Sequence, residues 1–368
     1  MNLIETGRIA RQASNALIPA KNLWLRGAWC SACVLVALQA GAQPPAPLLL
    51  ALEKGDNTLA IIDPAALKIV AHIPAGPDPH EVIASEDGRR AYISNYGGEG
   101  SALNTISVVS VDEKMPLAPI DLGALHSPHG LAMANGKLYF TAESSKVIAR
   151  YDPNAQRVDW ILGTGQDRTH MLIVTGSRIV TSNVRSGTIS ILEEVSVSGG
   201  PGGSAAPTSS SWSVSNVRSG NGCEGFDIAP NGREIWAANA KDDTVTIIDP
   251  VAKSVIQTIP IPVQGANRLK FTPDGRRVLI SGLGSGAGPA GASGENLAVF
   301  DAASRRQLKT LNLGGGAAGI LIAPDGSRAY IAVSPRNRIA VVDLKSIAVV
   351  HEIPTGDRPD GLAWAVHK

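Results

Sequence analysis

The chain has 368 residues, with 33 basic and 32 acidic side chains and a formal net charge of +1. It is long enough for a large core, and its charge balance excludes the electrostatic footprint of a duplex nucleic-acid or anionic-membrane binder. Apolar residues make up 44% and charged residues 18%, which excludes an overall disordered chain. High Gly (39) and Pro (24) beside only 4% aromatics point to many short strands joined by tight turns, and exclude a base-stacking platform.

Residues 1–42 read differently from the rest. Residues 28–42 form an apolar stretch preceded by Arg8, Arg11, Lys21 and Arg26, and it ends in Ala40-Gly41-Ala42, a small-x-small cleavage pattern followed by Gln43-Pro44-Pro45. This is the layout of a secretory signal, too short for a comfortable membrane span. Cleavage after Ala42 is expected, giving a periplasmic or secreted protein with no membrane span. It takes four of the 33 basic and one of the 32 acidic residues, leaving a net charge of −2. Cys30 and Cys33 leave with it, so Cys223 stands alone and no intramolecular disulfide is expected. No cysteine stands at the new N-terminus, so no lipid anchor is expected there. Residues 43–47 read as a short linker.

From residue 48 onward one pattern recurs: a polar turn, an apolar strand, a Gly-containing turn, a second strand ending in Asn or Ser, then a third ending in Asp. It is plainest in GANRLKFTPDGRRVLISGL (265–283), GCEGFDIAPNGREIWAANA (222–240), GAAGILIAPDGSRAYIAVS (316–334) and DPHEVIASEDGRRAYISN (78–95), and it returns in 127–143, 168–183 and, as a lone first strand, RPDGLAWAV (358–366). Asp-Gly and Asn-Gly supply the positive φ of a tight hairpin. Residues 105–110, 244–249 and 338–343 alternate side chains across two faces, as third strands of stacked sheets do.

Seven units over the mature chain, 43–368, at about 47 residues each, predict an all-β, seven-bladed β-propeller over 48–368 with four-stranded blades. The chain begins with strands at 48–52 and 58–63 and ends on an isolated first strand, so the two ends are predicted to share a blade. Two low-complexity segments interrupt the pattern: 196–211 between third and fourth strands, and 282–294 between second and third strands. The second is placed at the face where first strands begin, the first at the opposite face.

AYISN (91–95) followed by NTISVVSVD (104–112), and IWAAN (235–239) followed by DTVTIIDP (243–250), resemble the YVTN-type repeat of exported bacterial seven-bladed propellers. The resemblance covers nearly all of 48–368. It implies the fold and export but no single activity, because propellers host binding, hydrolysis, lyase and electron-transfer functions.

The repeat allows one position to be compared across all blades. Where each chain segment enters its first strand stand His80, His129, His170, Glu224, Asn267, Ala318 and Asp360. Three of the chain's seven histidines occupy this ring, and a glutamate follows them. Imidazole and carboxylate are ligands for zinc, copper, iron and nickel, and four on adjacent blades would leave an open coordination side. His80, His129, His170 and Glu224 are the candidate metal ligands, for a divalent or copper ion. Without metal, the same histidines suit anion binding or acid–base work. A supporting ring is expected at the ends of the second strands, Asn95, Glu143, Asn183 and Asn239. Glu143 and Glu81 are placed to orient imidazoles; Tyr96, Asn267 and Arg268 complete the candidate ligand contacts. Cys223 and Met171 neighbour ring residues, but strand alternation points them between blades rather than at a metal. Lactonase-type propellers hold a divalent cation with carboxylate and amide groups, similar in kind to Glu224 and Asn267, but no such family matches residue by residue.

The expected function is binding of a small ligand at the channel mouth, through a metal. The alternatives are a metal-dependent hydrolase or lactonase, a copper redox enzyme, or a protein-interaction scaffold docking a protein partner on a propeller face. No G-x-S-x-G elbow or c-type haem motif is present.

Overall fold

The structure, a computed structural model, describes residues 46–98, 102–197, 209–284 and 296–368. The expected signal segment 1–42 and most of both low-complexity segments lie outside the described residues.

Seven four-stranded antiparallel sheets make up residues 48–365. Six are contiguous in sequence: 79–121, 128–163, 169–218, 223–260, 266–311 and 317–354, referred to as blades 1 to 6. The seventh takes its innermost strand, Pro359–Ala365, from the C-terminal end and the other three, Leu48–Glu53, Thr58–Asp63 and Lys68–Pro74, from the N-terminal end. The molecule is an all-β seven-bladed propeller, closed as its repeat predicts.

The local chemistry explains the regularity. The first hairpin of each of blades 1 to 6 turns on a glycine with φ between +57° and +75°: Gly88, Gly136, Gly176, Gly232, Gly275 and Gly326. The aspartates that end third strands accept from the backbone N–H groups that follow, Asp63 from Ala65 and Ala66, Asp249 from Val251 and Ala252, which starts the turn to the fourth strand. Second and third strands are buried on both sides, and their Ile, Val, Leu and Ala side chains form the core between adjacent sheets. The ends are clasped by polar contacts: Glu53 accepts from the Gly356 N–H (2.7 Å), Asp56 from the Asp357 N–H (2.7 Å), and the Lys54 and Gly55 N–H groups donate to Arg358 and Asp357 carbonyls.

Two features of the innermost strands position the site. The residue two before each ring position has positive φ in six of seven blades (Asp78, Ser127, Arg168, Gly222, Gly265, Arg358), turning the chain into the channel. In every blade a register shift then follows the first residue of that strand: Pro79 pairs with Asn95 but Val82 with Ile93, and the other six repeat the offset. A bulge of this kind adds one residue and re-aims its side chain.

Candidate functional site

The ring residues are the second residues of the seven innermost strands, so the sequence alignment of that ring matches the backbone register. Four of them form a continuous arc. The His80 and His129 rings lie 5.3 Å apart, His129 and His170 stack at 3.7 Å, and His170 Nε2 lies 3.0 Å from Glu224 Oε2.

His170 is fixed from both ends of its ring. Nδ1 bonds Glu143 and Nε2 bonds Glu224. Burial opposes its charge, but Glu224 and Glu143 outweigh it and raise its pKa to about 9. Glu143 is fully buried and also accepts from the Tyr96 hydroxyl (2.6 Å) and Arg168 Nε (3.3 Å). Burial alone would raise it; the His170 and Tyr96 hydrogen bonds hold it below the ordinary carboxylate range. Glu224, against burial, is pulled down to about 2 by His170 and Arg268.

His129 behaves in the opposite way. Burial, reinforced by His170 beside it, pushes its pKa well below the usual imidazole range, so it is neutral. Its Nδ1 is buried and has no hydrogen-bond partner among the described residues. A buried imidazole nitrogen left open is a costly feature unless something else takes it. One donor atom from each of His129, Glu143 and His170 lies within 4.8 Å of the others, all three residues buried.

The backbone beneath these side chains is pinned by hydroxyls. Thr141 Oγ1 accepts from the Gly130 N–H (2.9 Å) and donates to the His170 carbonyl (2.6 Å). Ser182 repeats this, from the Met171 N–H to the Glu224 carbonyl. Gly130 must lack a side chain, since a Cβ there would lie 2.4 Å from the His170 carbonyl oxygen.

The rest of the ring is a charged continuation. His80 contacts Asp78 (Nε2, 3.3 Å), Lys54 (3.5 Å) and Asp360 (3.9 Å). The His80 hydrogen bond lowers Asp78 to about 2, and burial raises Asp360. Asn267 is buried and accepts from Arg268, which reaches Glu81 at 2.6 Å. Ala318 is a buried apolar member of the ring.

Three other expected contacts are not part of this cluster. Asn95, Asn183 and Asn239 are buried staples that tie their own blades together, Asn95 and Asn239 also to the segment leading in from the preceding blade. Asn95 donates to the Ala75 carbonyl and accepts from Thr105 and Ser107; Asn183 bonds Thr169, Thr188 and Ser190; Asn239 bonds Ser219, Thr244 and Thr246. Glu143 does not share their position. Pro128 pairs with Ala142 as Pro79 pairs with Asn95, so Glu143 corresponds to Tyr96, one residue on. That offset turns it into the cluster. Cys223 packs in the core between blades, its thiol pushed up to about 12 by burial, which leaves it a poor metal ligand at neutral pH. Met171 lines the channel as well as packing against that core. Arg168, Asp78 and Lys54 were missed. The first two stand at a recurring position two before the ring, which the repeat displays.

No family model matches the chain, and no curated protein matches it. Solved structures do. The chain is similar to a functionally unknown protein from Desulfotomaculum acetoxidans DSM 771 (TM-score 0.69, 12% identity, covering 88% of this chain and 100% of that one). It is similar to a putative 6-phosphogluconolactonase from Bacteroides uniformis ATCC 8492 (TM-score 0.64, 14% identity, 87% and 100%). It is also similar to the dihydro-heme d1 dehydrogenase NirN in complex with DHE (TM-score 0.58, 13% identity, 86% and 74%). At these identities the likeness establishes the propeller fold and nothing further. Among the described residues no helix is long and apolar enough to cross a membrane.

Proposed function

We propose that this chain is an exported propeller of the YVTN-repeat kind that holds a divalent first-row metal ion at its channel mouth and binds a small ligand there. The observation that carries the reading is the buried convergence of His129, His170 and Glu143, with His129 neutral and one of its nitrogens left open. Two imidazoles and a carboxylate are the donor set of open catalytic zinc and non-haem iron sites. When bound, such an ion supplies Lewis acidity and a site for water or ligand. The chain's own residues do the holding: Tyr96 and Arg168 orient Glu143, Thr141 and Ser182 fix the His170 and Glu224 backbones, and His80 and Glu224 flank the donors. This grouping differs from the four-ligand set read from the sequence, because Glu143 takes the place given to His80 and Glu224. Hydrolysis of an ester or lactone by metal-activated water is the enzymatic extension of the same site.

The test is elemental analysis of tag-free protein, followed by reconstitution with zinc, copper, iron(II) and manganese. One ion per chain is expected, lost in His129→Ala/His170→Ala and weakened at least tenfold in Glu143→Gln. Because His170 must lose its proton to coordinate, metal affinity should rise about tenfold per pH unit until the pH reaches about 9. Failure of all four ions to bind, or binding that ignores these variants, defeats the reading. Export is checked by N-terminal sequencing of protein recovered outside the cytoplasm, which should begin at Gln43.

A further inference from the structure

Beneath the ring the channel changes character. A cavity of about 380 Å³ is lined by the innermost strands from the residue after the ring position downwards, and none of the ring residues lines it. Its wall is largely apolar, with Leu131, Met133, Met171, Phe226, Leu321 and Trp364 among the residues that line it. Several of these are only partly buried although they pack against the inter-blade cores, as cavity-lining groups are. The charged residues lining it are Glu81, Arg268 and Lys270.

Arg268 projects from blade 5 and Glu81 from blade 1, so their 2.6 Å ion pair spans the channel between opposite sides of the ring. Both side chains are largely buried, 13% and 14% exposed. The guanidinium is aimed by Asn267, whose backbone oxygen and Oδ1 each accept from one terminal nitrogen at 3.2 Å. Room for its stem comes from Gly225, where a Cβ would lie 3.1 Å from Arg268 Cδ. This is a planar, always-charged fork held at the inner end of an apolar pocket, already carrying a carboxylate.

We propose that this channel binds a small apolar carboxylate: the ligand's carboxylate takes the place of Glu81 on Arg268, and its tail fills the channel. The volume suits a small molecule. Lys270 is the less suited anchor, being more exposed and facing Asp227 at 3.6 Å. Arg268 also faces the ring carboxylate Glu224 at 3.8 Å, so the test is run on metal-free protein.

The test is calorimetric titration of EDTA-treated full-length protein with sodium octanoate and with 1-octanol. Octanoate should bind with one site per chain and octanol at least tenfold more weakly. Decanoate should be tighter, by about fourfold for each added methylene. Arg268→Gln should weaken octanoate at least tenfold, Lys270→Gln should leave it unchanged, and Glu81→Gln should tighten it by removing the competing carboxylate. The double variant Glu81→Gln/Arg268→Gln removes both charges of the cross-channel pair, guards against a folding artefact, and should not bind octanoate. Equal binding of octanol and octanoate, loss of binding in Lys270→Gln alone, or weakening by Glu81→Gln would each overturn the proposal.

Discussion

His170 makes the stability of this protein depend on pH in a way that can be worked out in advance. Its imidazolium sits between Glu143 and Glu224 with a side chain 4% exposed, and its pKa is raised from 6.5 to about 9. A folded-state pKa above the unfolded one means that the folded protein holds the proton more tightly. The stabilisation is therefore complete below pH 6.5 and is lost as the pH climbs through about 9. At about 1.4 kcal/mol per pH unit between the two values, it amounts to at most about 3 kcal/mol. The lowered pKa of Glu224 describes the same contact from the other side and is not added to this. The assay is urea unfolding of EDTA-treated protein at pH 6.5 and 9.5, wild type beside His170→Gln. Wild type should lose about 3 kcal/mol more than the variant over that interval. If the two curves run parallel, the doubly held imidazolium does not exist and the account of the site's electrostatics is wrong.

Other perturbations follow from the same geometry. His129 is neutral and buried, so the unfolded chain binds the extra proton; stability should fall as the pH drops below 6.5, and His129→Gln should flatten that acid limb in a pH series of melting curves. Gly130→Ala drives a Cβ into the His170 carbonyl and should cost at least about 2 kcal/mol by chemical denaturation, along with the metal-binding signal. Glu53→Ala removes the acceptor shared by Thr58, His72 and the Gly356 N–H, and should cost about 2–3 kcal/mol, with hydrogen exchange accelerated first in the strands that clasp the ends.

The blades were legible because each repeats one small grammar. Gly in the first hairpin and Asp after the third strand act locally, so their meaning survives without knowledge of distant contacts. The third strands 105–110, 244–249 and 338–343 stand where the alternation placed them. The ring His80, His129, His170, Glu224 was legible for the same reason, since one position in a repeat is one position in space. What escaped is what a repeat hides. Matching polar residue to polar residue put Glu143 beside Asn95, whereas backbone pairing puts Ala142 there. A one-residue offset in a strand exchanges faces, and so exchanges a staple for a ligand-side carboxylate. The apolar stretch of channel below the ring was not legible because its lining comes from residues that read as ordinary strand hydrophobics, Leu131, Ile173 and Leu362. The pairing of Arg268 with Glu81 joins residues 187 apart, and no local pattern announces it.

The clasp between the two ends sets the order in which the molecule can acquire its site. Glu53 and Gly356 are 303 positions apart, and confining that much chain costs about 5 kcal/mol of loop entropy before any contact is made. Closure is therefore the natural last step of assembly, after individual blades have formed. The neighbours of His80 are drawn from both sides of that seam, Lys54 from the opening strands and Asp360 from the final one. Until the seam is shut, the arc of imidazoles has one end loose. A ligand gripping that arc would act as a latch, slowing reopening of the ring, and the rate at which the assembled protein releases it would double as a clock for how often the propeller opens.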